Sequence, residues 1–243
     1  LRALTGFLGS LVKLLGLALA IPDYSTFSRR AATLAVWIGR RAKSQPRHVV
    51  IDSTGLKVYG EGEWKVRQHG TSRRRTWRKL HLAVDAENLA VIAAELTAAF
   101  VGDAEVLPDL LDQLPAEESL ASVAADGAYD IHACHQALLD RQAAALIPPR
   151  AGAIAWPPLA DGQPHPRTAI LERIAQRGRK VWKQHSGYHR RSLAETAMFR
   201  LKTLFGGHLK NHRFDTHTTE AYARLAALNT MTRLGMPETV TVC

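Results

Sequence analysis

Three carboxylates in this sequence stand where chemistry, rather than solvation alone, would explain them. Asp52 directly follows Val49, Val50 and Ile51 in VVIDST, a run built for burial in which an unpaired carboxylate would be expensive. Asp126 closes the apolar run of SVAADG just before a glycine. Such a position projects a side chain from the carboxyl edge of a sheet, where open α/β sheets bind ligands. Taken singly, either is also readable as a turn or capping aspartate. The third is Glu195 in YHRRSLAETAMFRLK. On a single helix at about 100° per residue, Tyr188, Arg191, Glu195 and Lys202 fall within about 60° of one another. One face then carries a phenol, two cations and a carboxylate. Carboxylate oxygens suit magnesium, and the two cations suit neighbouring phosphates. The competing reading is a capping box, Ser192-Leu-Ala-Glu195, in which Glu195 bonds only the helix start. A helix beginning at Ser192 leaves Tyr188 and Arg191 outside it, whereas one capped by Ser186 keeps all four aligned.

The chain also carries a dense basic stretch, EWKVRQHGTSRRRTWRKL. Its Lys65, Arg67, Arg73, Arg74, Arg75, Arg78 and Lys79 suffice to follow a phosphate backbone, and Trp64 or Trp77 could stack on an unpaired base. The alternative is a solvated loop with core tryptophans. Over 243 residues, 32 lysines and arginines against 22 acids give a net charge of +10 and a pI near 10.0, which favours polyanionic partners. Asp85 is expected in a hairpin turn and Asp130 at a helix start. His132 with His135, and His208 with His212, have metal-compatible spacings but no cysteine or acid in a ligand pattern. They are expected at the surface or near phosphate, not on zinc. Cys134 and Cys243 are far apart, so no disulfide framework is indicated and a reducing cytoplasm fits.

The elements that must position these residues follow from periodicity. Leu1, Leu4, Leu8, Leu11 and Leu15 predict a first helix packing on a partner surface rather than a secretory signal, since Lys13 interrupts the apolar run. Pro22 and Asp23 end that pattern, and Ser25 or Thr26 is expected to cap a second helix with Arg29, Arg30, Arg40 and Arg41 on its basic face. Two short helices across a tight turn are compatible with a helix-turn-helix. A strand is predicted from His48 to Gly60, then two more in TWRKLHLAVDAENLAVIAAELTA around a turn at Ala86 to Asn88. A helix follows over Gly102 to Leu114 with Pro108 in its first turn, then a strand ending at Asp126, a helix from about Ile131 to Gln142, and a strand in AAALIPP. Residues 150–179 show no sustained period and read as an insertion or long loop. Two helices close the chain, one ending before Gly206 and one from about Thr218 to Leu234. The order predicts a mixed α/β sheet covered by helices.

These residues together resemble the insertion-sequence transposases with an Asp-Asp-Glu acid triad, in the branch of insertion sequence families four and five. The signature Tyr, two residues, Arg, three residues, Glu, six residues, Lys is matched by Tyr188, Arg191, Glu195 and Lys202. IDSTGLKVYGEGEW, ADGAYD and RRRTWRKLHLAVD are similar to the family's other segments, and the resemblance runs from about Pro22 to Met236. It implies a ribonuclease-H-like fold, with Asp52, Asp126 and Glu195 as catalytic residues holding two Mg2+ ions, Mn2+ being a possible substitute. It implies Tyr188, Arg191 and Lys202 as DNA-positioning residues. It also implies double-stranded DNA at element ends and target as substrate, a homodimer on DNA, and cytoplasmic localisation without a membrane. The expected layout is an N-terminal helical region over 1–45, a catalytic domain over 46–236 and a tail over 237–243. Members of the family have a longer helical region at the amino end, so a chain starting at Leu1 is expected to be truncated there. The alternatives are a nuclease of the same fold that cuts without joining, and a DNA-binding remnant without catalysis.

Overall fold

The β-branched run that carries Asp52 forms the central strand of a five-stranded mixed sheet. In the computed structural model, which describes residues 1–39, 43–58, 77–211 and 213–235, β1 (Arg47–Lys57), β2 (Trp77–Asp85) and β3 (Val91–Ala98) form an antiparallel meander. On the other side of β1, β4 (Leu120–Ala124) and β5 (Ala144–Leu146) run parallel to it. The order is β3-β2-β1-β4-β5, and with these strand senses the sheet has the ribonuclease-H-like arrangement. Two short helices, α1 (Arg2–Leu14) and α2 (Tyr24–Arg30), precede it. The helices that cover the sheet are α3 (Leu107–Asp112), α4 (His132–Asp140), α7 (Ser192–Phe205) and α8 (Phe214–Leu234), and α5 (Pro166–Arg177) and α6 (Arg179–His185) lie in the segment before α7.

Both faces are dry, which is why β1 reads as continuous apolar residues rather than an alternation. Val50, Leu80, Leu82 and Ala124 pack against Ala194, Ala197, Met198 and Leu201 of α7 and Leu225 and Leu228 of α8. Val49, Ile51, Ala83 and Val123 pack against Leu107, Leu110 and Leu111 of α3 and Leu138 of α4. Each buried aliphatic side chain contributes about 1.5–3 kcal/mol relative to exposure. The α7 seam is therefore strong enough to hold a polar face of that helix at the sheet edge.

Several expectations are corrected. The segment 150–179 is not a loop throughout. Pro166 starts α5, His165 caps it by accepting from the Arg167 N–H at 3.1 Å, and Gly178 at φ 82° ends it before α6 begins. Asp23, not Ser25 or Thr26, caps α2 by accepting from the Ser25 N–H at 2.9 Å. That helix stops at Arg30, and residues 15–23 separate it from α1, a longer connection than the tight turn of a helix-turn-helix. No residue of α1 is buried. The last helix starts at Phe214, one turn before the expected Thr218. The hairpin forms where predicted, with Asp85 accepting from the Glu87 N–H at 2.9 Å, and Pro108 lies in the first turn of α3.

Candidate active site

Strand register brings the two aspartates together. Val50 of β1 pairs with Ala124 of β4, in parallel. Asp52 lies two residues beyond Val50 and Asp126 two beyond Ala124, so both sit on the sheet face that α7 covers, on neighbouring chain segments about 4.8 Å apart. Asp52 is mostly buried, with 18% of its side chain exposed. Its Oδ1 accepts from the Ser53 N–H at 2.8 Å and its Oδ2 from Arg191 Nη1 at 2.6 Å. Asp126 follows the end of β4 in extended conformation and caps a single 3-10 turn, Gly127–Tyr129, by accepting from the Ala128 N–H at 2.7 Å. It thus fills the capping role and the sheet-edge position at once, engaging only Oδ1 in that bond.

Glu195 comes from the first turn of α7. The α-helix begins at Ser192, and Tyr188–Arg191 form a 3-10 turn that runs directly into it. No capping box forms: the Ser192 hydroxyl donates to the His189 carbonyl at 3.0 Å. Glu195 Oε1 instead accepts from Arg191 Nη2. Arg191 therefore bridges Asp52 and Glu195 with its two terminal nitrogens. Tyr188 is buried against Trp182, their ring centroids 5.7 Å apart. Lys202 is half-buried two turns further along α7.

Charge crowding marks this corner. Burial raises the Asp52 carboxyl above its ordinary range; the Ser53 N–H and Arg191 pull it down, and the carboxylates of Asp126 and Glu195 push it up again. Tyr188 is likewise raised, chiefly by burial, with Arg191 opposing and Asp126 and Asp52 adding to the shift. Carboxylate oxygens that repel one another are the donors a hard divalent cation uses, so the chemistry of the set fits such an ion. Among the described residues no three of His, Cys, Asp and Glu are close enough together to hold one. The positive charge between Asp52 and Glu195 is the guanidinium of Arg191.

On the opposite sheet face, Ser53 Oγ donates to Asp103 at 2.8 Å, and Lys79 Nζ donates to Asp103 at 2.9 Å and to the Val101 carbonyl at 2.8 Å. His81 lies beside them, bonded through Nε2 to Thr97 at 2.9 Å. Lys79 is thus engaged internally. Arg78 stacks its guanidinium 5.0 Å from the Phe214 ring, and Trp77 lies under Lys57. Lys65, Arg67, Arg73, Arg74, Arg75 and Trp64 lie outside the described residues, as do Arg40, Arg41, His212 and the tail over 237–243.

The two further acids have structural partners. Asp85 is fully buried against Arg47. Asp130 is fully buried too and receives Arg167 through Nε at 2.6 Å and Nη2 at 2.8 Å, His135 at 3.2 Å and the Arg150 N–H at 3.0 Å. Burial alone would raise Asp130, but the bonds from Arg167 and His135 hold it far below the usual carboxylate range. His135 is buried, contrary to the surface expectation, and His132 stacks on Trp156 at 3.6 Å. Sequence reasoning missed Asp103, Arg150 and Arg167, which carry no local period.

Comparison with known proteins gives two family matches. The model described as transposase DDE domain matches residues 43–230, and a second model of the same description matches residues 1–61. Among solved structures, the chain is similar to a piggyBac transposase determined by cryo-EM as a synaptic complex with hairpin DNA. That similarity has a TM-score of 0.38 at 10% identity, over 77% of this chain and 47% of that one. The chain spans about half the length of that transposase. No helix of the described residues is long and apolar enough to cross a membrane.

Proposed function

The chain belongs to the transposase DDE domain family, and on that premise we propose that it cuts DNA at the ends of a transposable element and joins the freed ends to target DNA. The observation that supports this reading is the placement of Asp52 and Asp126, each two residues beyond the paired Val50 and Ala124 of neighbouring strands, with Glu195 tied to Asp52 through Arg191. We assign the chain to the branch of insertion sequence families four and five, with Tyr188, Arg191, Glu195 and Lys202 as its signature.

In this reading Asp52, Asp126 and Glu195 hold two Mg2+ ions, or Mn2+ in their place. Such a pair supplies activation of the attacking oxygen and stabilisation of the leaving oxygen in an in-line displacement. In the first reaction a water oxygen bonds to phosphorus and the bond to the 3′ oxygen breaks, leaving a 3′ hydroxyl and a 5′ phosphate. In the second that hydroxyl displaces a 3′ oxygen of target DNA, exchanging one phosphodiester for another without an energy-rich cofactor. Arg191 is placed to exchange its carboxylates for a DNA phosphate, which its planar fork fits equally well. Lys202, on the same face of α7 as Glu195, contacts a neighbouring phosphate. Tyr188, whose phenol burial pushes further above its ordinary value, serves as a donor. Lys65, Arg67, Arg73, Arg74, Arg75 and Arg78 follow the duplex backbone, while Lys79 supports the strand from within. Coordinated action at two ends calls for a homodimer on DNA, acting in the cytoplasm.

Asp52→Asn tests the reading. With DNA bearing the inverted repeats that flank the gene, magnesium-dependent cleavage should vanish while DNA affinity stays within a few-fold. A pre-cleaved end with a free 3′ hydroxyl should be joined by the wild type. Cleavage without joining would identify a nuclease, and a wild type inert on both substrates would identify a DNA-binding remnant.

A further inference from the structure

Asp126 is held by a single peptide unit, and that unit is gripped from its other side. The N–H of Ala128 that donates to Asp126 Oδ1 at 2.7 Å and the C=O of Gly127 belong to one planar amide. Arg150 Nε donates to that Gly127 oxygen at 3.0 Å, and Arg150 Nη2 donates to the next carbonyl, Ala128, at 2.7 Å. A planar guanidinium bonded to two successive carbonyls fixes the rotation of the amide between them. Its charge also polarises that amide and so strengthens the Ala128 N–H as a donor to the carboxylate. Arg150 is anchored in turn, because its own N–H donates to Asp130 Oδ2, the oxygen that also receives Arg167 Nη2 of α5. The approach is close: a Cβ on Gly127 would lie 3.3 Å from the Pro148 carbonyl oxygen.

We infer that Arg150 is a positioning residue for Asp126, orienting its carboxylate for a divalent cation through the Gly127–Ala128 peptide. This rests on the reading of Asp126 as a metal-binding acid, and it gives the segment after β5 a role in the reaction although none of its side chains touches DNA or metal in that role. The bland alternative is an arginine that merely closes a surface turn. The two differ in where the damage falls when the guanidinium is removed. A turn-closing arginine loosens the neighbourhood evenly, whereas a positioning arginine frees one amide and one carboxylate.

The experiment compares the wild type, Arg150→Ala, Arg150→Lys and Asp126→Ala as full chains. Amide hydrogen exchange is followed by NMR, and Mn2+ binding without DNA is followed by electron paramagnetic resonance. In Arg150→Ala the Ala128 amide should lose at least tenfold protection while the β4 amides keep theirs, and Mn2+ affinity should fall about tenfold, the lower end for groups that orient a metal ligand. Arg150→Lys, whose donors all sit on one rotatable nitrogen and lack the planar fork, should fall between. Parallel loss of protection at Ala128 and throughout β4, or Mn2+ affinity within twofold of wild type in both Arg150 variants, would overturn the proposal. Equal Mn2+ binding by wild type and Asp126→Ala would overturn the reading of Asp126 itself, and the proposal with it, in an arm that does not involve Arg150.

Discussion

Replacing Arg167 by Met should destabilise this domain more than most single changes can. Asp130 has 1% of its side chain exposed and Arg167 has 4%, and the two share bonds of 2.6 and 2.8 Å. Arg167 also donates to the Ile154 carbonyl at 2.8 Å and lies 4.1 Å from the Trp156 ring centroid. Methionine would fill part of the volume and leave the carboxylate buried beside His135 without its cation. Breaking a buried pair from one side costs about 3–5 kcal/mol. For a chain of this size each kcal/mol moves Tm by about 2–4 °C, so a fall on the order of 10 °C is expected, measured by calorimetry with a check for two-state behaviour. The double variant Asp130→Asn, Arg167→Met should recover more than half of the loss, because removing both charges relieves the desolvation that the single change strands. The pH dependence has a defined sign. Asp130 is depressed in the folded state, so the pair's contribution is fully present above the unfolded value of 3.8 and is lost as pH falls below it toward the folded pKa. Arg167→Met should flatten that acid limb. A Tm change under about 3 °C, or a double variant no more stable than the single one, would refute this account of how α5 is docked.

Three further outcomes are expected. Burial lowers His81 from 6.5 to about 4, outweighing the nearby Asp103; its neutral form is favoured by folding, so stability should be complete above pH 6.5 and decline as pH falls toward 4, in urea unfolding midpoints, and His81→Gln should remove that decline. Arg191→Gln removes the cation shared by Asp52 and Glu195, so Mn2+ affinity without DNA should rise several-fold while the salt dependence of DNA binding loses about one unit of slope; lower Mn2+ affinity would show that Arg191 supports the acids rather than competing for them. Asn229→Ala removes an amide that accepts from the Val91 N–H at 2.8 Å and donates to the Val91 and Ile38 carbonyls at 2.7 Å each, so the stranded backbone groups should cost about 2–4 kcal/mol in chemical denaturation.

What could be read in advance, and what could not, divides by the range of the interaction. The meander was legible because apolar and β-branched residues persist along β1 to β3 and turn formers punctuate them, and α7 because Leu193, Ala197, Leu201 and Leu204 keep helical spacing. The segment 150–179 hid a helix because α5 buries only Arg167 and Ile170. An arginine on the inner face breaks the pattern on which such a reading depends. The start of α7 was ambiguous for a different reason. A 3-10 turn continues smoothly into an α-helix, so spacing alone could not say whether Arg191 stood inside it. The clamp on Asp126 was invisible because Asp130, Arg150 and Arg167 meet only through the packing of α5 on the segment after β5.

Among the described residues, three buried aspartate–arginine pairs differ in how open they are. Asp85 with Arg47 and Asp130 with Arg167 are closed, with side-chain exposures of 0% and 2%, and of 1% and 4%. Asp52 with Arg191 is more open, at 18% and 21%, with its arginine on a 3-10 turn and shared with the exposed Glu195, whereas Arg47 is shared with the buried Glu118. Exposure weakens such a pair by admitting water. Under the proposed function, Arg191 is the counterion that exchanges for a DNA phosphate, whereas Arg47 and Arg167 stay on Asp85 and Asp130.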